Sequence, residues 1–136
     1  MALRMLSNYP AYGNYYHFIG CSKHRKFLFE SEILRSRVLE VIKEIVERTE
    51  DMELVVCTVA YDHVHILVRT GLIPSRAEQL LFGTSSRMLR KEFPLLVEQS
   101  KKGLWGGTSC KAIKDKNHFP ICTSYITRHQ PNNEKI

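Results

Sequence analysis

Apolar residues recur along this chain with two different periods, and the switches between them mark out its elements. Residues 14–22, Asn-Tyr-Tyr-His-Phe-Ile-Gly-Cys-Ser, are rich in aromatic side chains and predict a first strand. Ser31 is placed to cap a helix that continues to about Thr49. Ile33, Leu34, Val38, Val41, Ile42 and Ile45 fall on one face of it, with Arg37, Glu40, Lys43, Glu44 and Glu47 on the rest. Such a one-sided helix covers a sheet. Residues 53–60 and 63–70 are β-branched segments joined by Tyr61-Asp62, the two-residue connection of a hairpin without its usual glycine.

A second helix is expected from about Ser75 to Phe93, on the spacing of Ala77, Leu80, Leu81, Met88 and Leu89, with Pro94 ending it. Gly83 within it weakens the helix by about 1 kcal/mol relative to alanine, and marks a kink or a close backbone contact. Residues 101–107 read as a loop carrying the only tryptophan, Trp105. Residues 108–114 alternate as a fourth strand, 115–120 form a polar turn, and 121–130 give a short last helix stopped by Pro131. Residues 1–13 are a loose lead-in and 131–136 a polar tail.

The resulting order, β-α-β-β-α-β-α, has no internal repeat and places 1–136 in a single domain. It predicts an α+β fold of the ferredoxin-like, split βαβ kind: an antiparallel sheet with helices on one face, and an added C-terminal helix. Side chains alternate along a strand, so His63 and His65 share a face while the valines around them point the other way. With the valines against the helices, the histidines stand on the open side. Because 54–60 are apolar on both faces, the reverse orientation is also allowed; the bare face would then be covered by the last helix or by a second subunit.

Composition narrows the picture. At 136 residues the chain can bury a core without staples. No apolar run approaches the roughly 18 residues of a membrane span, and the N-terminus lacks a signal-peptide pattern, so a cytoplasmic protein is expected. Cys21, Cys57, Cys110 and Cys122 have no C-x-x-C spacing and read as small core residues. The net charge of +6 favours a polyanionic partner, most simply nucleic acid.

Two imidazoles at i and i+2 on one strand face can grip a metal ion, although an isolated H-x-H is more often structural. On the last helix, Tyr125 and His129 are four residues apart and share a face. Gln130 lies about 140° around the axis from Tyr125. Taken alone, Tyr125 is a helix residue with its hydroxyl at the surface.

Together these residues resemble a known family, the single-tyrosine HUH transposases. These are small insertion-sequence enzymes related to the REP-associated tyrosine transposases. The resemblance runs from about Asn14 to Gln130. It is carried by Tyr16-His17-Phe18 leading into Lys23-His24-Arg25-Lys26, by Asp62-His63-Val64-His65, and by the run from Gly83 to Pro94. Leu104-Trp105-Gly106 and Tyr125-Ile126 complete it. It implies that Tyr125 attacks a single-stranded DNA phosphate, while His63 and His65 hold a divalent metal, Mg2+ or Mn2+. The third ligand implied by the family sits four residues after the tyrosine and is usually glutamine. Here His129 has that spacing and Gln130 has that chemistry, and both stay open.

The resemblance further implies cleavage and strand transfer at insertion-sequence ends through a 5′-phosphotyrosine link, recognition of subterminal hairpins, and a homodimer. The basic residues Lys23, Arg25, Lys26, Arg87, Arg90 and Lys91 are candidates for the DNA phosphate path. Trp105, Tyr15 and Tyr16 are candidates for stacking on unpaired bases, against their commoner use in packing. The rival readings are a non-catalytic single-stranded nucleic-acid-binding module, an inactive transposase remnant, and a nuclease that uses water as nucleophile.

Overall fold

The computed structural model describes residues 14–99, 103–113, 115 and 117–128. Their elements are β1 (Tyr15–Ser22), α1 (Glu32–Arg48), β2 (Met52–Val59), β3 (His63–Thr70), α2 (Pro74–Glu78), α3 (Thr84–Glu92), α4 (Pro94–Gln99), β4 (Trp105–Ala112) and α5 (His118–Arg128). The strands form one sheet in the order β2-β3-β1-β4, with every pairing antiparallel. β3 therefore lies between the two strands that α1 connects, which is the split βαβ arrangement.

Ser31 caps α1 by accepting from the Leu34 amide at 3.3 Å. Val38, Val41, Ile42, Ile45 and Val46 of that helix are buried. They join Phe18, Val64, Ile66, Val68, Leu81, Phe82 and Leu89 in the larger core, between the sheet and α1 to α3. Ile33 is the exception to the predicted face: it is 78% exposed. It sits in the first turn at the margin of the apolar stripe, where Leu34 takes the inward position.

The second helix is one continuous run whose middle, Gln79–Gly83, is a π-turn. The extra residue in that turn brings both Leu81 and Phe82 inward. Of the kink or close backbone contact expected at Gly83, the contact is absent, since a Cβ on Gly83 would meet nothing, and the helix irregularity is the π-turn that ends there. The close contact lies instead across the core at Gly20, where a Cβ would run into the Phe82 ring. Pro94 ends α3 as predicted, and it also opens α4 as that helix's first residue, a position that needs no amide hydrogen.

β4 begins at Trp105, earlier than the alternation suggested. Cys21 pairs with Gly107 and Ser22 with Trp105, so Gly106 is the extra residue of a bulge. A Cβ on Gly106 would come within 3.0 Å of the Lys23 Cα, a contact so tight that the Lys23 backbone would have to give way. α5 likewise starts before its predicted beginning. The Asp115 carboxylate accepts from the amides of Asn117 and His118, at 3.0 and 2.9 Å, and Pro120 is tolerated in the first turn.

The second face of the sheet is not open. Tyr15, Val55, Leu67 and Ile113 pack there with Phe119, Cys122 and Ile126 of α5. The valines do face α1 and α3, as expected, but the histidines do not stand open: His63 and His65 are both fully buried, and His65 lies against Tyr125 of α5. The cysteines are unpaired, and burial pushes the Cys57 thiol up to about 12, which keeps it protonated. No helix among the described residues is long and apolar enough to cross a membrane.

Candidate active site

Three elements meet around the histidines. β3 supplies His63 and His65 from alternate positions on one face. β1 runs alongside, with Cys21 opposite His63 and Ile19 opposite His65, so His17 projects from the same face. α5 crosses above, and its register is set by the Thr58 hydroxyl, which donates to the Ile126 carbonyl at 2.9 Å. Thr58 is itself the cross-strand partner of His65. That bond and the buried Ile126 bring Tyr125 over His65, with ring centroids 5.5 Å apart and planes at 90°. Tyr125 keeps 43% of its surface exposed.

The hairpin turn ahead of the histidines is held from outside. The Ser22 amide donates to the Asp62 carbonyl at 2.8 Å, and the Phe29 amide to the Tyr61 carbonyl at 2.9 Å. Neither Tyr61 nor Asp62 has a positive φ, so this connection does without the glycine-demanding turn types. The Asp62 side chain is buried and engaged at both oxygens. Oδ1 lies 2.7 Å from His63 Nδ1, and Oδ2 accepts from Arg25 through Nε and Nη2, each at 2.9 Å. Burial raises the Asp62 carboxyl, but the bonds from His63 and Arg25 outweigh it and hold the group below the usual carboxylate range.

His65 Nδ1 lies 2.9 Å from His17 Nε2, and the rings of His63 and His65 are 5.2 Å apart at 86°. Each of the two histidines thus has its Nδ1 engaged, so a ligand role falls to Nε2 in both. Imidazole Nε2 pairs of this kind suit a divalent transition ion and, with oxygen ligands added, Mg2+ or Mn2+. Among the described residues no group of three or more His, Cys, Asp and Glu is arranged to hold a metal ion. The residues present therefore fit such an ion as two of its ligands, and His129 and Gln130 lie outside the described residues.

The other predicted contacts divide between two sides. Lys23 and Arg25 belong to a short helical turn, Lys23–Arg25, that follows β1, and Lys26 closes it. With Cys21, Ser22, His24, Gly106 and Gly107, Lys23 and Arg25 line a cavity of about 370 Å³ next to the histidine face. Arg87, Arg90 and Lys91 are on α3, in the helical layer on the far side of the sheet. The aromatic candidates are used in packing. Trp105 lies between Phe29 and Phe82 and donates its indole N–H to Ser85 at 2.9 Å. Tyr15 is buried edge-on against Phe119, and Tyr16 packs on the larger core.

His17 and Asp62 drew no role from sequence reasoning. His17 reaches His65 across 48 residues, and only the register of two strands joins them. Asp62 adjoins the motif, but its bond to His63 depends on the turn.

Comparison with known proteins bears on the family and the fold. The family model described as "Transposase IS200 like" matches residues 10–129. A crystal structure of a protein assigned as a transposase from Deinococcus radiodurans R1 superposes with a TM-score of 0.66 at 22% identity, covering 85% of this chain and 90% of that one. A REP-associated tyrosine transposase bound to a REP hairpin superposes with a TM-score of 0.52 at 18% identity; the match covers 87% of this chain and 66% of that one. At these identities the likeness is one of fold. No curated protein matches by sequence.

Proposed function

Because the chain belongs to the IS200-like transposases, we propose that it cuts and rejoins single-stranded DNA at insertion-sequence ends, with Tyr125 as the nucleophile. The observation that carries this reading is the convergence, within one chain, of a half-exposed tyrosine and two buried histidines whose Nδ1 atoms are both engaged. The Tyr125 oxygen attacks the phosphorus and gives up its phenolic proton. The bond from phosphorus to the 3′ oxygen breaks, that oxygen leaves as a 3′-hydroxyl, and a 5′-phosphotyrosine ester remains. A 3′-hydroxyl of another strand reverses the attack and frees the tyrosine. The ester keeps the phosphodiester energy, so no nucleotide cofactor is consumed.

A free tyrosine, with a pKa near 10, is a poor nucleophile at neutral pH. A divalent cation, Mg2+ or Mn2+, would be held by His63 and His65 with His129 or Gln130, and when bound it polarises the phosphoryl oxygens. Lys23, Arg25 and Lys26 beside the site, and Arg87, Arg90 and Lys91 on α3, are the phosphate contacts of this reading. The hairpin bound by the REP-associated relative supports hairpin recognition here, and a homodimer working in the cytoplasm belongs to the same reading.

The test is incubation with labelled single-stranded DNA from the flanks of the protein's own gene, with Mg2+ or Mn2+. A covalent protein–DNA adduct is expected in the parent chain and none in Tyr125→Phe. Cleavage that survives in Tyr125→Phe would sink the tyrosine role in favour of water. No adduct with either metal would favour a remnant that binds DNA without cutting it.

A further inference from the structure

The metal ligands of this reading are held by residues that sequence reasoning had assigned elsewhere or not at all. Asp62 is buried at the end of the hairpin turn and bonded on both sides. Arg25, which reads from the sequence as a phosphate contact, directs its guanidinium to Asp62 Oδ2 through two nitrogens. It reaches that oxygen from an unusual backbone: His24 and Arg25 are consecutive non-glycine residues with φ of 59° and 56°. Non-glycine residues rarely adopt that left-handed region, and the conformation persists only where the surroundings enforce it. Here the turn is seated against Gly106, where a side chain would collide with the Lys23 backbone.

The proton positions follow from donor and acceptor capacity. A guanidinium only donates, so Asp62 Oδ2 accepts, and the Arg25 charge 2.9 Å away favours the ionised carboxylate. An ionised carboxylate has no proton to give, so at Oδ1 it also accepts, and His63 Nδ1 must carry the hydrogen. A neutral His63 then has its lone pair on Nε2.

We propose that Asp62, clamped by Arg25, is a positioning residue that fixes His63 as the Nδ1–H tautomer and aims its Nε2 at the metal. This rests on the reading of His63 as a metal ligand. Arg25 then acts inside the protein through Asp62, besides the phosphate contact that its exposed part offers. Partners of this kind, one bond removed from the metal, typically change metal affinity by about 10- to 100-fold when removed.

Two measurements test the proposal. The first is long-range nitrogen-15 NMR of the histidine rings in the metal-free protein, at a pH well above the free imidazole value of about 6.5. The parent chain is expected to show His63 protonated at Nδ1, and Asp62→Ala to lose that preference. A parent His63 protonated at Nε2 overturns the proposal whatever the metal does.

The second is Mn2+ affinity by titration calorimetry in the parent chain, Asp62→Ala, Arg25→Ala, Arg25→Lys and His63→Ala. Asp62→Ala is expected to weaken binding by about 10- to 100-fold, Arg25→Ala by less, and Arg25→Lys to recover part of the loss. Should Asp62→Ala not fold, Arg25→Ala carries the test, because its side chain is 40% exposed and leaves the core intact. Folded Asp62→Ala and Arg25→Ala proteins that bind Mn2+ within about twofold of the parent would overturn it. If His63→Ala binds as tightly as the parent, the metal-ligand reading itself fails, and the NMR result still decides the tautomer.

Discussion

Asp62 accepts from a histidine and an arginine at once, and this makes its charge state a lever on the fold. Its pKa in the folded chain lies below the usual carboxylate value of about 3.9. The stability it contributes is therefore fully present above that value and is lost as the pH falls through the lowered folded pKa. Thermal melts across the acid range should show this: Asp62→Asn is expected to flatten the fall in melting temperature below about pH 4. An acid limb identical to the parent's would show that Asp62 is not the group responsible. At this scale the shared face of His63 and His65 was legible, because strand alternation is local and needs no partner. His17 was not: its contact with His65 exists only once β1 and β3 have paired.

α5 is the element on which the site depends most. Its apolar side, Phe119, Cys122 and Ile126, has nowhere to go but the face of the sheet beside the histidines. Ile126→Ala removes a fully buried side chain from that seam, and such truncations cost about 2–5 kcal/mol. The expected result in chemical denaturation is a loss of that size, with a drop in adduct formation although Tyr125 is intact. A full-strength adduct from a folded Ile126→Ala protein would show that α5 docking does not position the tyrosine. At the other edge, Gly106→Ala places a methyl group against the Lys23 backbone. Overpacking of this kind costs about 1–3 kcal/mol, readable as a lowered melting temperature, and an unchanged melt would mean that the turn has room to yield.

The elements missed or shifted in sequence reading share a cause. Pro94, the 106–107 glycine pair and Asp115 all look like loop residues by type. Each serves here as a helix start, a bulge or a cap, because a neighbour supplies what the residue lacks. The histidine face was expected to stand open, and a cover by the last helix was foreseen only for the reverse orientation of the sheet, which the doubly apolar residues 54–60 allow.

For the whole molecule, the central consequence is that Tyr125 lies over His65 of its own chain. A site built in one chain predicts that mixing Tyr125→Phe with His63→Ala protein restores no DNA adduct, since neither chain then holds both parts. Restored adduct in the mixture would mean that the tyrosine helix serves a partner's histidines. Apart from α4, the order of strands and helices was legible from hydrophobic period, since each of the other elements carries its own pattern. The pairing of a β3 motif with a C-terminal tyrosine was legible only through family resemblance, because no local spacing links the two.

α5 touches the rest of the described chain mainly through β2 and β3, along a short apolar seam. The sheet's larger core, against α1 to α3, is complete without it. Proteins open in cooperative units, and a helix attached by few contacts opens at a lower free energy than the core it rests on. Each opening of α5 carries Tyr125, the proposed nucleophile, away from the histidines while the platform beneath stays folded. The exchange protection of α5 amides, compared with those of β3, is thus a direct gauge of how much of the time the enzyme is assembled.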